Sequence, residues 1–237
     1  MIEVRKLVKT FGLRPVLRGV ELAVEAGEFV SLFGPNGAGK TTLVRILAAL
    51  SRPSGGLVRV SGYELPRHAD AVRRRLGVVL HQPLLYDHLT ARENLAFFAR
   101  MYHLEDAAAQ VEAVLKQVGL RARANDVVHT FSRGMQQRLS IGRAILHDPD
   151  ILLFDEPYTG LDPEATELLD NLLRQVVADR PRTILMTTHD LTRGLALADR
   201  VAILKGGQIV HMEPADDDSP QTFAALYSRV TGATPYG

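Results

Sequence analysis

The stretch Gly34-Pro35-Asn36-Gly37-Ala38-Gly39-Lys40-Thr41-Thr42 constrains this chain more than any other. It fits the pattern G-x-x-x-x-G-K-[ST], with Gly34, Gly39, Lys40 and Thr41 at the fixed positions. The flanks fit as well. Glu28 to Phe33 is a short apolar run suited to a buried strand, and Leu43, Ile46, Leu47 and Leu50 recur at helical spacing. A strand, a glycine-rich turn and a helix N-terminus together form an anion site. Successive backbone N–H groups point inward and the helix dipole adds positive potential. Glycines let the backbone approach phosphates without a Cβ in the way. The chemistry assigns Lys40 to the β- and γ-phosphates of a nucleotide and the Thr41 hydroxyl to Mg²⁺.

The rest of the composition mainly excludes. A net charge of +1 gives no electrostatic case for nucleic acid as the main partner. With 0 cysteines, disulfides, cysteine-ligated zinc and thiol catalysis are ruled out. No apolar run reaches the length of a spanning helix, and Met1 to Lys6 lack a signal peptide's apolar core. The expectation is a soluble, cytoplasmic protein.

Taken in order, Ile2–Val8 and Val16–Val24 read as two strands joined by a turn through Gly12 and Pro15, with Phe11 in the turn. An aromatic there serves either to stack on a base or to close the hairpin core. A strand at Leu57–Val60, a basic helical stretch at Ala71–Leu76 and a strand at Gly77–Leu80 follow, the last ending in His81 and Gln82. Thr90-Ala-Arg-Glu93 is a capping box opening a helix to about Tyr102, and a second helix over about Glu105–Val118 stops at Gly119. Between about 90 and 130 there is no strand signal, which predicts a helical subdomain inserted into an α/β core. Ser132 is the expected N-cap of a further helix.

Asp150 to Glu156 contains four apolar residues and ends in two acids, the pattern of a central strand delivering carboxylates at its C-terminal edge. Asp155 suits a Mg²⁺ shell and Glu156 the polarisation of an attacking water. Asp162-Pro163 starts the next helix, Thr183–Thr187 is a strand ending in Thr188, His189 and Asp190, and Val201–Leu204 with Gln208–Met212 form a hairpin. A final helix to about Val230 follows Asp216 to Asp218 and Pro220.

These pieces, in this order, resemble the ATP-binding subunits of ABC transporters over nearly the whole chain, from Ile2 to about Pro214. Phe11 matches the family's adenine-stacking aromatic, Gly34–Thr42 its Walker A loop and Gln82 its Q-loop glutamine, which touches Mg²⁺. Asp155 and Glu156 match the end of Walker B, Glu156 being the family's catalytic carboxylate. Asp162 matches the D-loop, and His189 the switch histidine at the γ-phosphate. The signature motif departs from the family pattern. Phe131-Ser132-Arg133-Gly134-Met135 stands where Leu-Ser-Gly-Gly-Gln is usual. Ser132 and Gly134 remain to meet a γ-phosphate at a helix N-terminus. Arg133 has two readings, a charge-assisted phosphate contact or crowding of the loop.

The resemblance implies an α/β P-loop NTPase of the ABC type. Its core would span 1–88 and 150–214, around a mixed, mainly parallel sheet with N-terminal antiparallel strands. A helical subdomain would cover about 89–149, and a C-terminal helix about 219–230. It implies ATP and Mg²⁺ as cofactors and a head-to-tail dimer, most simply a homodimer. The signature Ser132 and Gly134 of one subunit would complete the site of the other. It also implies a separate integral membrane permease that holds the protein at the inner face of the membrane, docked near Leu84–Thr90, and no nucleic-acid partner. The compact length and the runs at 89–95 and 131–138 are similar in flavour to the ATPase of haem exporters for cytochrome c biogenesis. ATPases of drug, lipid or polysaccharide exporters share those features, and an ATPase acting on ribosomes or DNA is the reading from outside transport.

Overall fold

The computed structural model describes residues 1–215 and 219–232. The expected feature at Asp216 to Asp218 lies outside them. A four-stranded antiparallel sheet forms from β1 (Ile2–Phe11), β2 (Arg14–Val24), β4 (Gly55–Val60) and β5 (Tyr63–Leu65), in the order β2-β1-β4-β5. The second sheet has six strands: β3 (Phe29–Phe33), β6 (Leu76–Val79), β7 (Ile151–Asp155), β8 (Thr183–Thr187), β9 (Arg200–Lys205) and β10 (Gln208–Pro214). Their order is β10-β9-β3-β8-β7-β6, parallel throughout except for the edge strand β10.

Side chains along the central strands alternate between two cores, as the period of two requires. On β7, Ile151 and Leu153 face the antiparallel sheet, while Leu152 and Phe154 face the helices. Helix α1 (Lys40–Leu47) lies in the first of these cores, bringing Leu43, Val44, Ile46 and Leu47 against Leu153 and Leu185. On the other side α3 (Ala91–Met101), α4 (Ala107–Gln117), α5 (Arg133–Ile145) and α6 (Pro163–Asp179) build the second core. A third, smaller cluster holds α7 (Leu191–Leu197) and α8 (Pro220–Thr231) on Phe33, Val201 and Ile203. Strands buried on both faces read as unbroken apolar runs, which is why Ile151 to Phe154 carry no polar residue.

The helix starts follow their capping residues. The Thr90 side chain accepts from the Glu93 amide while Glu93 accepts from the Thr90 amide, and Ser132, Asp162 and Asp190 cap α5, α6 and α7. Several boundaries differ from the sequence reading. Strand β1 continues to Phe11, so Phe11 ends a strand and the turn is Gly12-Leu13. The basic stretch forms only a short helix, α2 (Ala69–Arg73), and Leu76 belongs to β6, because pairing with Ile151 outweighs local helical periodicity. Strand β5 and helix α7 have no counterpart in the sequence reading. Both are short, and tertiary contact with β4 and β3 holds them.

Candidate nucleotide site

The Gly34–Thr42 turn connects β3 to α1 and lines a cavity of about 610 Å³ at the C-terminal edge of the parallel sheet. Gly34 has a steric reason to be glycine: a Cβ there would stand 2.3 Å from the Leu204 carbonyl oxygen. Lys40 opens α1 with its side chain turned back over the loop, where Nζ donates to the Gly34 carbonyl at 2.6 Å. Pro35, Asn36, Gly37, Ala38, Gly39 and Thr42 line the same cavity, and Phe11, Arg14, Arg18, Gly206 and Gly207 complete it. Phe11 is 55% exposed, and the Lys9 ammonium lies 4.7 Å from its ring centroid. One face of the ring is therefore covered by a cation.

The acids arrive at the end of β7. Asp155 is buried, and its Oδ1 accepts from Thr187 Oγ1 at 2.8 Å and from Thr41 Oγ1 at 3.2 Å. Its Oδ2 is buried without a hydrogen-bond partner among the described residues. An unpaired carboxylate oxygen beside a hydroxyl suits a hard divalent cation that takes its remaining oxygens from phosphates and water. Among the described residues no cluster of three acidic or histidine side chains could cage a metal alone. The donor set therefore fits Mg²⁺ arriving with a nucleotide.

Glu156 stands at φ +52°, a left-handed backbone that a non-glycine residue adopts at a cost of roughly 1–3 kcal/mol. Two bonds from its amide hold it there, to the Thr187 carbonyl at 3.0 Å and to Thr187 Oγ1 at 3.1 Å. Its carboxylate then reaches Lys40 Nζ at 3.3 Å through Oε1 and His189 Nδ1 at 2.7 Å through Oε2. The Glu156 side chain is 17% exposed and that of His189 64%, so the acid is sheltered while the histidine faces the open side.

Lys40, Thr41, Asp155, Glu156 and His189 thus form one connected cluster. Gln82 is exposed just past β6 and bonds neither Thr41 nor Asp155, and Ser132, Gly134 and Asp162 lie outside the cavity lining. Ser132 Oγ accepts from the Met135 amide, and Gly134 is buried against Ala165. The sequence reading missed Thr187. Its only signal was a threonine ending the strand that pairs with the acidic one, Asp155 opposite Thr187. Asn94 was also missed; it is fully buried and holds the backbone of Tyr86 at both its N–H and its carbonyl.

A phosphate-cradling loop between β3 and α1, with two acids at the end of β7, two strands away in the same parallel sheet, defines a P-loop nucleotide-binding protein of the α/β class. The chain belongs to the ABC transporter family, whose profile, described as "ABC transporter", matches residues 17–159. It is 39% identical to the ABC transporter ATP-binding protein NatA of Bacillus subtilis, over 82% of this chain and 80% of that one. It is 40% identical to the Nod factor export ATP-binding protein I of Paraburkholderia xenovorans, over 87% and 68% respectively. The linearmycin resistance ATP-binding protein LnrL of Bacillus subtilis is 34% identical over 99% of this chain and 73% of its own. Among solved structures, the dimeric post-hydrolysis state of the ATP-binding cassette MJ0796, bound to ADP and Pi, superposes with a TM-score of 0.83. That match is at 29% identity and covers 91% of this chain and 99% of that one. ABC ATP-binding proteins are ATPases, and such domains generally work as dimers with membrane permeases. No helix of the described residues is long and apolar enough to cross a membrane.

Proposed function

We propose that this chain hydrolyses ATP at the Lys40–Asp155–Glu156–His189 cluster to power export through a separate membrane permease. The contact of one sheltered carboxylate with both the P-loop lysine and His189 carries this reading. Phe11 stacks the base, a contact worth about 1–3 kcal/mol by analogy with aromatic stacking on nucleic-acid bases. The loop amides and Lys40 hold the β- and γ-phosphates. Thr41 and Asp155 would hold Mg²⁺, which neutralises charge on the β- and γ-oxygens, with Gln82 reaching it from the loop beyond β6. Glu156 accepts a hydrogen bond from the attacking water and draws its proton as the new bond to phosphorus forms and the bond to the β-phosphate oxygen breaks. His189 steadies the γ-phosphate oxygens and fixes the orientation of Glu156.

In the dimer two copies pair head to tail. Ser132 and Gly134 at the start of α5, with Asp162 nearby, meet the nucleotide of the other copy. The permease docks beside α3. Leu84 and Tyr86 are exposed there, while Leu85 packs inward against the helical core. For the cargo, relatives named for Nod factor export and linearmycin resistance favour the drug, lipid or polysaccharide class. They give no support to haem export for cytochrome c biogenesis. The protein then sits at the inner membrane face through its partner.

The test is a gentle-detergent pull-down of tagged Glu156→Gln protein with ATP from native membranes, beside an ATPase assay of the wild type. Recovery of an export permease supports the reading, and its identity names the transport system. Recovery of ribosomal or DNA-bound proteins without a membrane subunit would overturn transport while leaving the ATPase assignment to the assay.

A further inference from the structure

Arg133 replaces a glycine of the usual signature motif, and the structure gives it a definite contact. Its Nε donates to the Thr159 carbonyl at 2.8 Å, on the loop that follows Glu156. Thr159 also donates its own N–H to the Glu156 carbonyl at 3.2 Å. The guanidinium lies against Gly160, which sits at φ +74°; a Cβ there would come within 2.8 Å of Nε and 3.1 Å of Cζ. Next to it the two helix starts abut, and a Cβ on Gly134 would stand 2.6 Å from Ala165 Cβ. Among the described residues no carboxylate forms an ion pair with Arg133. The side chain is engaged by backbone alone.

We infer that Arg133 is a positioning residue that ties the signature turn to the Glu156–Asp162 loop of its own chain. The inference rests on the proposed head-to-tail dimer. There Glu156, at the start of that loop, belongs to one ATP site, and Ser132 and Gly134, with Asp162 at the loop's end, meet the other. A rigid link between them makes each site's acid and the signature presented to the opposite site move together. A guanidinium suits the task because its planar Nε–H donor is fixed in direction, whereas an ammonium on a flexible stem is not. The link also gives the coupling, which is reciprocal, a route within one chain. A shift of the Glu156 backbone passes through Thr159 to α5, without crossing the dimer interface.

The experiment compares full-length wild type with Arg133→Ala and Arg133→Lys in two measurements. The first is amide hydrogen exchange at Thr159 to Leu161, which needs no turnover. The expected result is exchange at least severalfold faster in both variants, with protection of the α5 interior unchanged. Unchanged exchange in Arg133→Ala overturns the link, whatever the ATPase assay gives. The second is ATP turnover with the Hill coefficient. Both variants should lose about tenfold in kcat with KM within twofold, and their Hill coefficients should fall towards 1. Rescue by lysine, or a loss confined to KM, assigns Arg133 to a direct phosphate contact and overturns the positioning role. If the wild type itself does not hydrolyse ATP, the proposed function fails, and the exchange result still decides the link.

Discussion

His189 Nδ1 and Glu156 Oε2 stand 2.7 Å apart, each at the end of its own parallel strand with β8 beside β7. The carboxylate's other oxygen faces Lys40, so one acid bridges the lysine of the phosphate loop and the histidine of the neighbouring loop. Replacing Glu156 with Gln keeps the shape and removes the basic oxygen. Turnover should fall by about 10²–10⁴-fold with ATP affinity retained. His189→Ala should slow turnover while leaving nucleotide binding within a few fold. Steady-state ATPase rates beside fluorescent-nucleotide titration check both. Wild-type turnover in Glu156→Gln would remove the acid from the mechanism.

Thr187→Val tests how the acids are held. The substitution is nearly isosteric but deletes one of two donors to Asp155 Oδ1 and one of two acceptors of the Glu156 amide. The expected cost is about 1–3 kcal/mol of stability, because buried Asp155 Oδ1 loses the shorter of its two hydrogen bonds and keeps only the Thr41 donor. Turnover should fall and the Mg²⁺ concentration for half-maximal rate should rise. Urea melts and a Mg²⁺ titration of the ATPase rate measure these effects.

Asn94→Ala should loosen the loop beside α3. Its side chain accepts from the Tyr86 amide at 2.8 Å and donates to the carbonyls of Tyr86 and Thr90, both at 3.0 Å. Without it the Tyr86 N–H loses its partner, while the Tyr86 and Thr90 carbonyls keep the amides of Leu89 and Asn94, at a cost of about 1–3 kcal/mol. The Tyr86 amide should exchange with solvent much faster. Exchange at the α1 amides should be unchanged.

His147 gives the fold an acid limb. Its ring stacks on Tyr102 at 3.8 Å, and burial pushes its pKa down from 6.5 to about 4, with Arg143 adding to the effect and Asp148 opposing it. The unfolded chain binds a proton that the folded chain refuses. The stabilisation is therefore full above pH 6.5 and is lost as pH falls towards 4, on the order of 3 kcal/mol in all. His147→Phe, which keeps the stack, should flatten the fall in melting temperature over that window.

The parts most legible in the sequence were those whose chemistry is local. The glycines of the phosphate loop, the capping box at Thr90 and the apolar run before Asp155 each dictate their own geometry. What stayed hidden depended on partners distant in the chain. Thr187 gains its place only through strand pairing with Asp155, and Asn94 looked like one more polar residue on a helix. The short α7 carries too little periodicity to read alone and is held by packing on β3. Arg133 stood in plain view as a departure from the family motif, but its partner Thr159 comes from the turn after β7 and no local spacing connects them.

The strand order has a consequence for how the protein is made. β3 carries the phosphate loop, yet both its neighbours, β8 and β9, come from the far end of the chain: Phe29 pairs with Ile184, and Val30 with Arg200. At roughly 5–20 residues per second, the ribosome delivers those partners about 10–30 s after β3 has emerged. A nascent chain thus carries the glycine loop long before Glu156 and His189 have a sheet to stand on. ATP turnover must wait until β8 and β9 have emerged, and a chain cut short before β8 leaves an apolar strand for chaperones to shield.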